Sequence, residues 1–484
     1  MRKEGNYLKK KTNQSQGRSR SINQSKVNSS DSGIFAGLAS SLQQRLFGRS
    51  NPPQSAQQSL PYREMYRDGI CRVDGRLYTK TVSFSDITYQ LAQNEDKSLI
   101  FGAYCDFLNR FDPSVSLQLT CINRRAKADE FRLSIPLADK QDAFTSIRSE
   151  HAEMLRNQWS RGNNGIVKGK YLTFGVEAAS LSEAKLRLER IEADIIVGFK
   201  AFGVIATPLS GLERLGILYD QLHPDNAGSL SFRWRDVVDT GLSTKDAIAP
   251  MSFNFSDSRH FRVEKHYGSV SFIQILASEL SDRILADLLD LNTAITVNLH
   301  IRSIDQTQAI KAVKSKLSDL DKMRIDSQQN AVRSGYDMDI LPPDLVTYGK
   351  EAQNLLTELQ NRNERMFMVT VLVQNTAATK KALDNDLFAA AGVVQKHNCA
   401  LKPLEYQQEQ GLMSSLILGR NEIDIQHGLT TSAVAVFVPF TTAELFQGGD
   451  SFYYGLNGLS HNLVMADRKS LKNPNGLYCQ GRFS

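Results

Sequence analysis

The chain has 484 residues, a mass of 54.1 kDa and a net charge of +6, and 41% of its residues are hydrophobic. This ordinary composition excludes wholesale disorder, a collagen repeat and a coiled-coil rod, and at roughly 100–200 residues per domain the length predicts about three domains. No run approaches the roughly 18 apolar residues that cross a bilayer, and the N-terminus lacks the apolar core of a signal peptide. We therefore expect a cytoplasmic protein.

The cysteines are few and widely spaced. Their number is odd and no C-x-x-C pair occurs, which argues against a disulfide framework and against a zinc site. The pattern predicts reduced, mostly buried thiols at Cys71, Cys105, Cys121, Cys399 and Cys479.

Most of the positive charge lies in residues 1–59. Ten basic and two acidic residues give this segment a net charge of +8, which leaves −2 for residues 60–484. The segment is rich in Ser, Gln and Asn and poor in aromatic residues, so we predict a disordered basic tail. Such a tail is either a solvated leader or a surface that binds anionic lipid or nucleic acid.

A short amphipathic helix is predicted inside this tail, over residues 34–47. Apolar residues recur every four positions and Gly48 marks its end. The helix either docks on a membrane or in a partner's groove, or it packs back on the body of the protein. The docking residues would be Ile34, Phe35, Leu38, Leu42 and Leu46.

Residues 60–225 are predicted to form an N-terminal α+β domain. Asp74-Gly75 is a hairpin turn between two short strands, and alternating apolar residues from Val115 to Cys121 indicate another strand. Ser180 and Glu183 form a capping box ahead of a helix with a long buried stripe.

Residues 226–427 are predicted to form a second α+β domain. Two βαβ halves flank a helical insertion at about 306–362, whose apolar seams predict an antiparallel hairpin. The first strand, 261–274, is expected to break at Gly268. The order of elements resembles a ferredoxin-like mixed sheet with a projecting coiled arm.

Patterns that would identify a catalytic site are weak. His260, Glu264 and His266 would share one face of a strand, but three ligands without a supporting cluster are poor evidence for a metal. The loop 165–170 resembles a phosphate loop, yet Asn164 stands where the first Gly should be and Tyr171 where Ser or Thr should be. Nothing in composition or periodicity names an enzyme.

The segment 430–477 carries an ordered series of short motifs. The residues that define it are Tyr454, Gly455, Asn457, Asn462, Asp467, Arg468, Asn473, Pro474, Asn475 and Gly476. With further agreements at 60–92, 172–209 and 411–421, the series closely resembles the CagE/TrbE/VirB family, the large ATPases of conjugative type IV secretion. It is most similar to members from Gram-positive conjugative elements.

The resemblance implies a docking and assembly role at the cytoplasmic face of a DNA-transfer channel. The protein would lie peripherally at the inner face of the plasma membrane, with the channel's membrane components as partners, self-association, and no small-molecule substrate. An intact family member would bind ATP and Mg²⁺ through a phosphate loop soon after Gly476. Here the sequence continues as Tyr478 to Ser484 without a Walker lysine, so we expect no cofactor and no ATP hydrolysis from this chain.

The resemblance also assigns residues 428–484 to the first strands of an absent RecA-like motor domain. Their apolar residues would then be exposed sheet edges and a cause of poor solubility, namely Val434, Val436, Val438, Leu463 and Met465. We expect Tyr454, Asn457, Asp467 and Arg468 to shape hairpins rather than to contact nucleotide.

Two alternative hypotheses remain open. The protein could be a freestanding nucleic-acid-binding accessory protein of a mobile element that acts through its basic tail. It could also be an intact ATPase whose reading frame is interrupted by a frameshift or a sequencing error at about Tyr478.

Overall fold

The computed structural model describes residues 55–90, 92–125, 144–147, 149–151, 153–154, 166–224, 230–276, 280–334, 343–361, 363–441, 451–456 and 463–468. Residues 1–54 of the basic tail, with its predicted helix and its five docking residues, lie outside these ranges. The predicted disorder is wrong for residues 55–59, because Ala56–Ser59 is a single helical turn capped by Ser55 and Ser59 is buried. The fold class is α+β, as predicted, with a large sheet, a small two-stranded sheet and a long helical hairpin.

The first half of the body is a ferredoxin-like unit. After the single-turn helix α1 (Ala56–Ser59) its elements are β1 (Glu64–Met65), β2 (Cys71–Arg72), β3 (Leu77–Phe84), α2 (Asn94–Leu108), β4 (Val115–Arg125), β5 (Ile166–Glu177), α3 (Leu181–Ala201), β6 (Ala206–Pro208) and α4 (Gly211–Leu222). The spatial order β6-β3-β5-β4 is the 4-1-3-2 order of a βαββαβ unit.

The second half repeats this topology. Two short helices, α5 (Trp234–Thr240) and α6 (Thr244–Ile248), lead to β7 (Phe253–Asn254), β8 (Phe261–Val263), β9 (His266–Ile275), α7 (Ile284–Leu289), β10 (Ile295–Ser303), α8 (Gln306–Arg333), α9 (Pro343–Asn361), β11 (Met366–Ala377), α10 (Lys380–Lys396), β12 (Cys399–Pro403) and α11 (Gln408–Ser415). The order β12-β9-β11-β10 is again 4-1-3-2, and the hairpin α8–α9 is inserted between its second and third strands.

The two units join edge to edge into one continuous sheet. Strand β4 pairs antiparallel with β10, with Leu119 opposite Leu299, so the second strand of each unit meets its counterpart. This pairing relates the units by an approximate two-fold axis. Every pairing among the described strands is antiparallel, so the sheets are not of the mixed direction expected from sequence.

The repeat is faintly visible in the sequence. Arg72-Val73 before the β2–β3 turn corresponds to Arg262-Val263 before the β8–β9 turn. Further along, Val82-Ser83-Phe84 corresponds to Val270-Ser271-Phe272. A self-comparison of the sequence could therefore have revealed the duplication.

Both faces of the sheet are buried, which explains why its central strands carry few exposed residues. One face packs against α2, α3, α7 and α10, and the other against α4 and α11. Helix α3 illustrates the local logic: the Ser180 hydroxyl accepts a hydrogen bond from the Glu183 amide, and Ala184, Leu188, Ile195 and Phe199 are buried. Of the four described cysteines, all are free thiols and Cys71, Cys121 and Cys399 are buried, as predicted.

The predicted break at Gly268 is wrong. The strand ends instead at Val263, and Glu264 in the turn has a left-handed φ of 53°. Gly268 lies inside β9, where a Cβ atom would be 2.2 Å from the Phe261 ring. Glycine is needed there because the ring packs on the strand backbone.

The described chain after α11 has a different arrangement of secondary structure from the motor-domain strands that the resemblance implies. It forms β13 (His427–Thr430), which pairs with β11, then α12 (Thr431–Ala435), and later the hairpin β14 (Phe452–Leu456) and β15 (Leu463–Ala466). Val434 and Val438 are 1% exposed and Met465 is 4% exposed. The expectation of exposed sheet edges is therefore wrong for these residues. Val434 and Val438 belong to the core beside the sheet, and Met465 is buried within the β14–β15 hairpin.

Candidate functional site

Residues 411–441, here called the bridging segment, contact both ferredoxin-like units and both faces of the sheet. Its first part crosses one face as α11 and the irregular chain to Ile425. Strand β13 then lies in the plane of the sheet, and α12 with the following residues packs on the opposite face.

Polar side chains in the centre of the sheet hold the first part of the bridging segment. His300 Nε2 lies 2.8 Å from the Ser414 carbonyl oxygen. The Gln118 amide nitrogen donates to the Leu416 carbonyl at 3.0 Å, and its amide oxygen accepts from the Gly419 N–H at 2.7 Å. Gln118 also donates to Asn298 Oδ1 at 2.9 Å, which links the two units.

His300 is buried by this arrangement, with 7% of its surface exposed. Burial lowers its pKa to about 4 from an ordinary value of 6.5, while the hydrogen bond to Ser414 acts in the opposite direction. The neutral ring can donate its Nε2–H to the carbonyl, which assigns the tautomer from the geometry.

Arg214 on α4 is a second buried anchor. It is 0% exposed and donates to three carbonyl oxygens, of Gly69 at 2.7 Å, Thr79 at 2.9 Å and Ile417 at 2.9 Å. Since no carboxylate pairs with it among the described contacts, carbonyl dipoles stabilise the charge, and burial lowers its pKa. Arg214 therefore ties the bridging segment to the first unit.

On the opposite face, Thr431 fixes the start of α12. Its hydroxyl donates to Asn109 Oδ1 at 2.7 Å and accepts from the Arg365 N–H at 2.9 Å. The next amide, of Ser432, donates to Glu364 Oε2 at 3.0 Å. Because Asn109 follows α2 and Arg365 precedes β11, this junction again connects the two units.

Further along the bridging segment, Phe440 packs in a cluster of aromatic side chains. Its ring centroid lies 5.6 Å from that of Phe202, 5.9 Å from Tyr104 and 6.1 Å from Phe84. The surroundings are apolar enough that burial raises the pKa of the Tyr104 hydroxyl above its ordinary range. Edge-to-face contacts of this kind add to the stabilisation from burial.

Asp86 holds the end of the bridging segment. It accepts from the Thr441 N–H at 2.8 Å and from the Thr441 hydroxyl at 2.7 Å, and it forms an ion pair with Lys170, which is 7% exposed. The Gln90 N–H donates to the Thr441 carbonyl at 3.1 Å. Thr441 is therefore fixed by both its side chain and its backbone.

We expect Asp86→Ala to release this end of the segment. The substitution leaves the Lys170 ammonium buried without its partner, which should cost about 3 kcal/mol of unfolding free energy. Hydrogen exchange followed by mass spectrometry should show faster exchange at Thr441 and Gln90. The matched control is Asp106→Ala, on the exposed side of α2. Unchanged exchange at Thr441 in the Asp86 variant would contradict this role.

The sequence-predicted motif residues are only partly described. Tyr454 and Gly455 lie in a β-bulge of the β14–β15 hairpin, where the register shifts between Tyr453 and Gly455. Gly455 has a φ of 149°, and Tyr454 is exposed. Asp467 and Arg468 follow β15. The described residues do not include Asn457, Asn462, Asn473, Pro474, Asn475 or Gly476.

The three residues of the weak metal pattern do not share one strand face. Glu264 lies in the turn beyond β8, with Oε1 3.4 Å from His223 Nδ1, and His266 begins β9. His260 Nδ1 lies 3.2 Å from Asp257 Oδ2, and its Nε2 lies 3.6 Å from Asp384 Oδ1. Within the described ranges no group of three His, Cys, Asp or Glu side chains could hold a metal ion. In the same part of the chain no helix is long and apolar enough to cross a membrane.

A cleft of about 1040 Å³ opens beside α4 at the ends of β4, β5, β10 and β11. Its walls carry Arg124, Arg125 and Lys168 together with Glu213, Asp220 and Asp386. Lys168 pairs with Asp290 at 2.9 Å, and Arg124 lies 3.6 Å from Asp220. The balanced charges favour neither an anionic nor a cationic ligand.

The residues that organise the bridging segment were not identified from sequence. Gln118, Thr120, Asn298 and His300 are polar residues at alternating positions of otherwise apolar strands. That alternation was the available signal, because buried polar residues in a strand need partners.

No family model matches the chain, and no curated protein matches it.

Proposed function

We propose that this chain is the non-catalytic docking and assembly part of a conjugal transfer ATPase of the type IV secretion kind. It acts at the cytoplasmic face of a DNA-transfer channel and binds the channel's membrane components. The basic tail, with the amphipathic residues Ile34, Phe35, Leu38, Leu42 and Leu46, supplies contact with the membrane or with a partner.

The observation that carries the proposal is the bridging segment. It connects both units to the chain that follows Thr441, through anchors on each face of the sheet. Movement of either unit when a partner docks would therefore displace Thr441. A docking module that transmits a conformational change to a following element needs such a connection. The motif resemblance supports the class of protein, and the bridging segment provides the connection between the two units and the chain after Thr441.

The test is fractionation of donor cells that carry a Gram-positive conjugative element of the resembled kind. The full-length tagged chain should sediment with membranes when the channel genes are expressed and remain in the soluble fraction when they are deleted. The variant Leu38→Asp/Leu42→Asp should lose the membrane fraction, because it destroys the apolar face of the predicted helix.

A matched control replaces Ser40 and Gln44 on the polar face of the same predicted helix with Asp, which adds the same charge at the same spacing without removing apolar residues. Sedimentation with membranes that does not depend on the channel genes would overturn channel docking in favour of lipid binding. Salt-sensitive binding to duplex DNA that requires residues 1–59, without channel-dependent sedimentation, would instead support the nucleic-acid-binding alternative.

A further inference from the structure

The N-terminal end of β5 extends beyond its neighbour on one side. On that side β5 pairs with β3 from Glu177 only as far as Tyr171. Residues 166–170 pair with β4 on the other side, and none of the described strands pairs with them where β3 has ended. We call this side of residues 166–170 the β5 edge. A strand edge of this kind offers its backbone N–H and C=O groups to another extended chain.

The corresponding end of β11, the third strand of the second unit, is paired with the bridging segment. There β9 pairs with β11 from Ala377 only as far as Leu372. Residues Met366–Val369, beyond that point, pair with the antiparallel strand β13. The approximate two-fold axis therefore relates the β5 edge to an edge that already binds an extended segment.

The bridging segment approaches β13 along a row of side chains that crosses the sheet. The row consists of Thr173, Gln118, His300 and Thr370, which lie opposite one another on β5, β4, β10 and β11. Gln118 Oε1 accepts the Gly419 N–H at 2.7 Å, and the Thr370 hydroxyl donates to the Ile425 carbonyl at 2.8 Å. Side chains of this row thus bind the main chain of a segment that runs to the sheet edge.

An equivalent row forms the floor of the cleft beside α4. The second row consists of Gln374, Thr296, Ile122 and Gly169, which lie opposite one another on β11, β10, β4 and β5 and all line the cleft. The two rows lie two residues to either side of the paired Thr120 and Asn298, so the two-fold axis exchanges them. Three strand spacings make the second row about 14 Å long, which about four or five extended residues span. It ends at Gly169, within the β5 edge.

Gln374 on the second row has an unused hydrogen-bond acceptor. The residue is 5% exposed, and its Oε1 has no partner among the described groups. Buried polar atoms of side chains are normally paired. Since Gln118 Oε1 accepts a main-chain N–H on the first row, Gln374 Oε1 can accept one from a segment that lies on the second row.

We propose that the second row and the β5 edge form a docking site for an extended, uncharged segment of a partner protein. The segment lies along the row from Gln374 to Gly169 and continues as a strand antiparallel to β5. Main-chain hydrogen bonds provide most of the affinity, as in other cases of strand addition. An uncharged segment matches the cleft best, because its basic residues already have acidic neighbours, Lys168 with Asp290 and Arg124 with Asp220.

A synthetic peptide tests the site in the full chain. Its sequence is that of residues 421–430, which lead to and form β13, with Glu422→Gln and Asp424→Asn to remove its charge. We expect saturable binding by fluorescence anisotropy. Hydrogen exchange followed by mass spectrometry should slow at residues 166–170 when the peptide binds. Residues 367–369, which pair with strands on both sides, should exchange as before.

N-methylation of the peptide distinguishes strand addition from other binding. A strand directs alternate N–H groups to its antiparallel neighbour. Methylating one alternate pair of amides at positions 427–430 should therefore weaken binding by about tenfold or more, because two main-chain hydrogen bonds are lost. Methylating the other pair should change the affinity by less than about threefold.

A substitution in the second row tests the role of the cleft. Gln374→Leu removes the unused acceptor, so it should weaken peptide binding by about three- to tenfold and leave the urea midpoint of unfolding unchanged. The matched control is Gln395→Leu, at an exposed position of α10, which should leave both quantities unchanged.

Four results would overturn the inference. They are no saturable binding, equal effects of the two methylated pairs, wild-type affinity in Gln374→Leu, and exchange at residues 166–170 of the free chain as slow as at 367–369. The last result would show that another part of this chain pairs with the β5 edge. The argument uses only the duplicated sheet, so peptide binding without channel-dependent sedimentation would support this site and contradict the proposed channel docking.

Discussion

Replacing Arg214 by methionine should destabilise the protein more than any other single substitution considered. The side chain is fully buried and donates to the carbonyl oxygens of Gly69, Thr79 and Ile417. Methionine fills much of the space but leaves these acceptors unpaired, and each buried unpaired group costs about 1–3 kcal/mol. We expect the unfolding free energy, measured by urea titration, to fall by about 3 kcal/mol or more.

Two further variants separate this role from a general effect of losing an arginine. Arg190→Met, on the exposed face of α3, should change the unfolding free energy by less than about 0.5 kcal/mol. Arg214→Lys keeps the charge but cannot span three carbonyl groups, so its loss should be intermediate. If Arg214→Met unfolds at the same urea concentration as the wild type, the buried guanidinium does not anchor the bridging segment.

Acidification should weaken the protein through His300. Its pKa is about 4 in the folded protein because burial disfavours the charged ring, against 6.5 when exposed. Well above pH 6.5 the ring is neutral in both states and contributes no pH dependence. As the pH falls from 6.5 to 4, the unfolded chain binds a proton that the folded chain does not, so this residue lowers stability by about 3 kcal/mol in total.

The measurement is urea unfolding at intervals between about pH 7.5 and pH 4, which spans the window set by His300. His300→Gln should flatten the profile in that window, because the amide can still donate to the Ser414 carbonyl but does not titrate. Other groups titrate as well, so the informative quantity is the difference between the two profiles. His151→Gln, at an exposed position, should reproduce the wild-type profile. A His300→Gln profile as steep as the wild type would refute the assignment.

Much of the fold could be predicted from local patterns. The alternation from Val115 to Cys121, the Asp74-Gly75 turn and the α8–α9 hairpin all rest on short-range periodicity, and each is present in the structure. The pairing of β4 with β10 could not be predicted, because it joins strands about 180 residues apart whose two faces are both buried. The resemblance implies motor-domain strands over residues 428–484, but Thr431–Ala435 is helical, and a short apolar run does not by itself distinguish a strand from other buried chain.

The candidate site was harder to predict than the fold. Gln118, His300 and Arg214 act through contacts that span more than 110 residues of sequence. The alternation of polar residues around Gln118 and His300 indicates that they need partners but does not identify them. The same holds for Asp86, whose partner Thr441 is 355 residues away. By contrast, Tyr454 and Gly455 are neighbours in the sequence. A local motif could therefore point to them, although it could not predict their position in the fold.

Transfer frequency in donor cells tests the docking role most directly. The full chain is expressed alongside an intact conjugative element of the resembled kind, and transfer to recipients is counted as the expression level rises. A docking role predicts that the chain competes for the channel, so transfer should fall as its level rises, and Leu38→Asp/Leu42→Asp should abolish this inhibition. Unchanged transfer at every level of a stably expressed chain would contradict the account.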